Sequence, residues 1–442
     1  MNAELLARYD RLVPRYTSYP TAPHFHAAIG PDDYCSWLAK LPGDTRLSLY
    51  LHVPFCHALC WYCGCHTTVA RRHRPVADYL DLLLAELDLI GTALGSGRPV
   101  SHVHFGGGTP TMIAPDDLRT LGERLRERFE VLSEAEFAVE IDPRRLRRET
   151  VDALAAIGVN RASLGVQDVN FEVQRAINRR QPFSVVERAV DRLRGAGISG
   201  INFDLMYGLP HQTVGRVLQS VEAALRLRPA RVALFGYAHV PWMKRHQRLI
   251  DESALPGSLE RAAQFEAAAD RLANAGYVAI GLDHFALPDD SLALALRQGR
   301  LRRNFQGYTT DTAPALLGFG ASAIGSLPQG YVQNTVPIPA YRDAIRTGRL
   351  ATKRGIALTD EDRARRSVIE RLMCNLAADL DGSAGWFAAE LEALKPFVAD
   401  GLVSVESGSI RIRSEGRALV RTVCAVFDAY LDRGAARYAR AV

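Results

Sequence analysis

No stretch of this 442-residue chain is long and uncharged enough to suggest a membrane span, and its opening, MNAELLARYDRLVPRYTSYP, lacks the apolar core of a secretory signal. Lysine is scarce: only Lys40, Lys244, Lys353 and Lys395 interrupt a basic complement that is otherwise arginine. No dense basic tract marks a nucleic-acid face, and the formal net charge is only +5. The seven cysteines are odd in number, and Cys35, Cys374 and Cys424 are scattered. That argues against a disulfide framework and for a reducing compartment, so the cytoplasm is the expected location. The whole chain, 48% hydrophobic and 23% charged, has the composition of a soluble globular protein long enough for two or three domains.

The other four cysteines, Cys56, Cys60, Cys63 and Cys65, fall in YLHVPFCHALCWYCGC. They begin where an apolar run, Leu47 to Phe55, reads as a buried strand. Thiolate is the preferred protein ligand for iron–sulfur clusters and for zinc. Their spacing is too uneven for one helical face, so a wrapped loop is expected. A structural zinc knot and a chance cluster are the bland alternatives. Zinc sites usually pair two CxxC knuckles at a distance, and the chain has no second knuckle.

Strand candidates LSLYLHV, VSHVHF, EFAVEI, RASLGV, GINFDLMY and RVALFGYA, with YVAIGLDHFA as a possible seventh, alternate with helical patterns such as DDLRTLGERLRERF and VGRVLQSVEAALRL. Such alternation predicts an α/β fold with a parallel sheet, and six or seven units fit a partial or full βα barrel. Residues 47–351 would form this barrel, preceded by a Pro- and Tyr-rich arm (1–46) laid across it. Residues 352–442 read as a mostly helical, winged-helix-like domain: a helix from Thr359 to Leu380, WFAAELEALKPFVADGL, a hairpin (VSVESGSIRIR) and GRALVRTVCAVFDAYL.

The strand ends are polar: Gly106-Gly107-Gly108-Thr109-Pro110 after the second, Glu140 and Asp142 after the third, Gln167 and Asp168 after the fourth. Asp204 and Tyr207 belong to the fifth, and Tyr237-Ala238-His239 ends the sixth. Polar groups gathered at strand C-termini suit a barrel active site, where those loops converge. Asp142 before Pro143 also reads as a simple turn residue.

With the cysteine loop, HFGGGTPT, VEIDPR, SLGVQD, INFDLMYGLPHQT, YAHVP, GLDHFALPDD and NFQGYTT in this order, the chain resembles the radical S-adenosylmethionine (SAM) enzymes, and within them the oxygen-independent coproporphyrinogen III oxidase family. The resemblance runs from PRYTSYPTA to LVRTVCAVFDAYL. It implies a radical SAM barrel in which Cys56, Cys60 and Cys63 hold a [4Fe-4S] cluster with one iron open, while Cys65 is left unligated. It also implies two SAM molecules. Tyr50, Gly107, Glu140 and Ile324 match the positions for the cluster-bound one; Tyr62, Gly108, Thr109, Gln167, Arg179, Asp204 and Ala238 match those for the second. Tyr62 replaces the phenylalanine expected there.

The implied substrate is coproporphyrinogen III. Two of its propionates would become vinyl groups after hydrogen abstraction by a 5′-deoxyadenosyl radical, giving protoporphyrinogen IX. Propionates call for arginine partners, and Arg15, Arg179 and Arg303 are candidates. His52 would lie beside the cluster or serve as an ordinary hydrogen-bonded histidine. A low-potential electron donor such as flavodoxin or ferredoxin is implied. A monomer with no membrane or nucleic-acid partner is expected. The rival readings are a heme-carrying chaperone of the same superfamily branch and a nucleic-acid-binding protein using the C-terminal domain.

Overall fold

The computed structural model describes residues 3–431 except 96, 381 and 383, together with residue 438. The end of the expected C-terminal domain, residues 432–437 and 439–442, lies outside that set. Six strands form where the sequence predicts them: β1 (Leu47–Val53), β2 (Arg98–Gly107), β3 (Phe129–Ile141), β4 (Arg161–Gln167), β5 (Gly200–Tyr207) and β6 (Arg231–Gly236). They pair in that order, each parallel to the next. Strands covered on both faces read as near-continuous apolar runs, and in β1 only Tyr50 is even half-buried.

The helices between them carry their own start and stop signals. In Pro115–Arg128, proline, Asp116 and Asp117 occupy the first turn while Arg126 and Arg128 close the last, complementing the helix dipole. Leu118, Leu121 and Leu125 recur at helical spacing and join the main core. Burying each stabilises the fold by roughly 1.5–3 kcal/mol relative to exposure.

The seventh candidate strand behaves differently. Gly281, at φ +51°, divides it into β7 (Val278–Ile280) and β8 (His284–Ala286), which pair antiparallel. β8 in turn runs antiparallel to β6. On the other side, β9 (Ala315–Phe319) lies parallel to β1, followed by antiparallel β10 (Ile324–Leu327), β11 (Gly330–Asn334) and β12 (Thr352–Ala357). The result is a twelve-stranded sheet with β12 and β7 outermost, a partial barrel whose parallel centre is β9 and β1–β6. Residues from 352 onward, expected to open the C-terminal domain, thus begin with a strand of the main sheet.

The predicted helix from 359 to 380 spans only Asp360–Asn375; Leu376 turns left-handed (φ 54°) and the chain becomes a strand, Ala377–Asp379. The predicted hairpin forms as Val403–Glu406 and Ser409–Ile412, completing a small three-stranded sheet. The last predicted helix is a 3₁₀ segment, Ser414–Leu419, followed by a short helix, Val420–Ala425. The arm packs on this region rather than lying across the barrel alone. Tyr9, Val13, Tyr16 and Tyr19 share a core with Leu372, Leu419 and Phe427. The Tyr16 hydroxyl donates to Asp428 (3.0 Å).

Candidate active site

Beyond Val53 the chain enters the cysteine loop, whose neck is a short parallel pairing of Phe55–Cys56 with Thr68–Val69. Thr68 N–H donates to Pro54 O (2.7 Å) and Ala70 N–H to Cys56 O (2.9 Å). Inside the loop, backbone carbonyls find partners from distant segments. Asn178 Nδ2 donates to Leu59 O (2.9 Å), Gln247 Nε2 to Tyr62 O (2.9 Å) and Lys244 Nζ to Cys65 O (3.0 Å). The His246 ring sits 2.7 Å from Cys63 O. An irregular loop is held in one shape when its backbone groups are satisfied this way.

The glycines after β2 latch onto this loop. Gly108 N–H donates to Val53 O (2.9 Å) and Thr109 N–H to Phe55 O (2.7 Å). A Cβ on Gly108 would come within 2.5 Å of Phe55 O, and one on Gly107 (φ +110°) within 2.6 Å of the His52 ring. Only glycine permits so close an approach. His52 itself is buried, with its ring nitrogens 3.0 Å from Tyr50 Oη and 3.1 Å from His66 O; burial lowers its pKa. The hydrogen-bonded reading of His52 therefore describes its contacts.

Cys56, Cys60 and Cys63 line a cavity of about 480 Å³. All seven positions assigned to a second SAM line it too, as do Gly107 and Glu140 of the first set. Tyr50 instead lines an adjoining polar pocket with His104 and Glu140, and Ile324, at the start of β10, packs near Phe25 and Tyr331. Among the described residues no three His, Cys, Asp or Glu side chains converge to hold a single metal ion. A cubane cluster instead needs thiolates spread around its corners, and three cysteines around one cavity suit that donor set.

Electrostatics organise the cavity. Glu140 accepts from Gly107 N–H (3.0 Å) and lies 3.2 Å from His104 Nε2. Burial would raise its pKa, but these contacts outweigh it and the carboxylate is held below its usual value. Asp142, read from the sequence as a turn residue, does accept Arg144 N–H (3.1 Å). It also pairs with the guanidiniums of Arg144 (2.6 Å) and Arg179 (3.6 Å), which override burial and hold it at about 2. Both arginines reach Cys60 Sγ, at 3.8 and 3.5 Å, stationing positive charge beside that sulfur.

Burial pushes the Cys56 thiol up to about 11 despite the Thr109 hydroxyl at 3.5 Å. Hydrogen bonds from Cys65, including its N–H at 3.4 Å, draw the Cys63 thiol below its usual value. Burial raises Asp204 to about 6, only partly offset by Ser163 Oγ and Asn202 Nδ2, each at 2.9 Å. Asp168 is not part of this cavity: it is buried and accepts from Asn170 N–H (2.6 Å) and Gln212 Nε2 (2.7 Å).

A second cavity of about 1340 Å³ adjoins the first; Arg15, Cys65, Gly236 and Ala238 line both. Arg261, Arg303, Arg417 and Arg421 also line it. Of these, Arg261, Arg417 and Arg421 were not singled out by sequence, nor were Arg144 and the loop anchors Lys244, His246 and Gln247. They come from segments far apart in the chain, and no local spacing signals their convergence.

A three-cysteine loop leaving the first strand of a partial βα barrel, latched by a glycine loop after the second, is the arrangement of a radical SAM enzyme, and residues 50–224 match the radical SAM superfamily. The chain is 53% identical over 450 residues to the oxygen-independent coproporphyrinogen III oxidase of Bradyrhizobium diazoefficiens, with 100% of both chains covered. It is 40% identical over 440 residues to that of Escherichia coli, covering 98% of this chain and 96% of the relative. The solved structure of coproporphyrinogen III oxidase from Escherichia coli, described as a radical SAM enzyme, matches with a TM-score of 0.90 at 39% identity, covering 95% of this chain and 100% of that one. The chain belongs to the oxygen-independent coproporphyrinogen III oxidase family. No helix among the described residues is long and apolar enough to cross a membrane.

Proposed function

We propose that the chain catalyses the oxygen-independent oxidative decarboxylation of two propionates of coproporphyrinogen III to vinyl groups, giving protoporphyrinogen IX. The observation that carries this reading is the junction of two cavities, one ringed by the three cysteines and one lined by arginines, with Cys65 and Ala238 shared between them. Cys56, Cys60 and Cys63 would hold the [4Fe-4S] cluster, with Cys65 left free as a wall residue between the cavities. Bound there, the cluster and SAM would supply the one-electron hydrogen-abstraction chemistry at a propionate β-carbon, and the loss of carbon dioxide and of one electron to an external acceptor would leave the vinyl group.

The chain's own residues bind, orient and exclude. Glu140, kept charged, accepts from a SAM ammonium or ribose group, with Tyr50, Gly107 and Ile324 around the same molecule. Tyr62, Gly108, Thr109, Gln167, Arg179, Asp204 and Ala238 receive the second SAM in the cysteine cavity. Arg15, Arg261, Arg303, Arg417 and Arg421 grip propionates, holding a β-carbon toward the opening at Cys65. The arm and the C-terminal domain supply part of that cavity through Leu5, Leu12 and Ala418, keeping water from the reacting carbon.

We read the protein as a cytoplasmic monomer served by a low-potential donor such as flavodoxin or ferredoxin. Anaerobic incubation of the reconstituted chain with SAM, reductant and coproporphyrinogen III tests the activity. The expected result is the divinyl product with one 5′-deoxyadenosine per decarboxylation. SAM cleavage without porphyrinogen conversion would refute the substrate, and tight stoichiometric heme binding without turnover would favour a chaperone.

A further inference from the structure

On the outer side of the cysteine loop lies a separate groove of about 520 Å³. Pro54, Phe55, Thr67 and Thr68, the two sides of the loop's neck, form one wall, and the opposite wall comes from the helix Ile338–Arg346 and the residues leading into it. Thr67 lines both this groove and the cysteine cavity, so the partition between them is thin. The apolar part includes Pro54, Pro337 and Val336, the last 40% exposed.

The rim is basic. Arg342 and Arg346 line the groove, and Arg71, Arg72 and Arg74 lie in the segment that joins two of its lining residues, Thr68 and Pro75; all five are exposed. Among the described residues Arg71, Arg72 and Arg346 make no ion pair and no side-chain hydrogen bond. The nearby carboxylates are already engaged: Asp78 lies against Arg74 (3.9 Å), Asp343 against Arg342 (3.6 Å), and Asp117 3.1 Å from His73 Nε2. An apolar floor with an uncompensated basic rim suits a transient, electrostatically steered encounter with an acidic partner. A second copy of this chain would bring the same basic rim and be repelled.

Resting on the function proposed above, we propose that this groove is the docking surface for a small acidic one-electron carrier protein, which delivers its electron through the neck of the loop to the cluster. One electron leaves the carrier's centre and enters the cluster; no bond forms or breaks. The position fits the task, because a carrier seated here reaches the cysteines without entering the arginine-lined cavity that substrate must occupy.

The test uses the anaerobically reconstituted full chain and an acidic plant-type ferredoxin. Binding of oxidised ferredoxin, followed by calorimetry at low ionic strength, is expected to weaken by about tenfold or more in R71E/R72E/R346E. Affinity of the unaltered chain should fall steeply with added salt. Stopped-flow reduction of the cluster by reduced ferredoxin should slow in parallel, while reduction by dithionite proceeds as in the unaltered chain. The milder R71A/R72A/R346A variant should lie between, and R188E, on an exposed position of the helix Phe183–Gly195, should bind normally.

An unchanged dissociation constant in the triple charge reversal would overturn the proposal, as would equal weakening by R188E. Self-association abolished by the same variants would assign the groove to a second copy and overturn it as well. Binding is read without turnover, so absence of porphyrinogen conversion would count against the proposed activity alone.

Discussion

In the cysteine cavity the charged side chains have largely found one another; in the larger cavity beside it Arg261 has not. Asp142 sits between Arg144 and Arg179, and Glu140 is held by Gly107 N–H and His104. Across the shared wall, Arg261 makes no ion pair among the described residues and lies 5.6 Å from the centre of the Tyr207 ring. Burial lowers its pKa, lowers that of Arg417 and brings Arg421 down to about 10. Glu266, Asp270 and Glu415 line this cavity at exposed positions, and Asp283 is engaged by His284 at 2.7 Å, with Arg303 and Arg15 nearby also helping to hold its carboxyl at about 2. A guanidinium that is buried with no ion pair, as at Arg261, lacks full compensation. The first cavity is therefore organised before its ligand arrives, whereas the second holds at Arg261 a positive charge that a ligand's carboxylate can complete.

The largest effect should come from Cys60→Ser. It removes a sulfur that two arginines already face, and iron–sulfur absorbance and 5′-deoxyadenosine formation should both be lost. Coproporphyrinogen binding in the larger cavity should survive. Retained iron in this variant would break the comparison at its first term, because the cysteine cavity would then not depend on its three thiols.

Asp204 sharpens the contrast, since it is the carboxyl of the cysteine cavity that stays only partly compensated. Its folded pKa, about 6, lies above the usual 3.8, so the folded chain holds the proton more tightly than the unfolded one. That contribution to stability is fully present below about pH 4 and is lost as pH rises through 6. Asp204→Asn should therefore stabilise the protein at pH 8 by up to roughly 3 kcal/mol and by little at pH 4. Thermal unfolding at the two pH values reads the difference. No gain at pH 8 would place Asp204 with Asp142 among the compensated groups.

Arg261→Ala tests the other cavity. One charge-assisted hydrogen bond contributes about 1.5–3 kcal/mol, so kcat/KM for coproporphyrinogen III should fall about 10- to 100-fold. KM should carry most of that change, and substrate-free SAM cleavage should be unaffected. Equal loss in both assays would mean that the two cavities are not electrostatically separate.

What could be read from the chain follows the range of the interactions. The six parallel strands, the wrapped cysteine loop and the glycine latch are written in consecutive residues, through apolar periodicity and the spacing of special residue types. The break at Gly281 was obscured because the flanking VAI and HFA both carry strand character. The helix predicted to reach Leu380 stops at Asn375 because Leu376 adopts a left-handed turn that its residue type does not advertise. Arg261, Arg417 and Arg421 were hidden in another way. Each is one arginine among many, and their convergence is set by how the arm and C-terminal domain pack over the barrel.

The smallest effect should be that of Tyr62→Phe. Tyr62 is tied to the protein through its backbone, whose carbonyl accepts from Gln247, and its ring packs beside the cluster of Val173 and Ile177. The hydroxyl makes no hydrogen bond among the described residues, so phenylalanine keeps the ring and the carbonyl contact and gives up nothing the fold uses. SAM affinity and kcat should stay within about twofold, and stability within about 0.5 kcal/mol. Equilibrium SAM binding beside thermal unfolding separates the possibilities. A tenfold loss of SAM affinity at unchanged stability would show that the phenol serves the ligand directly, and the cysteine cavity would then share with its neighbour a polar group left waiting for a partner.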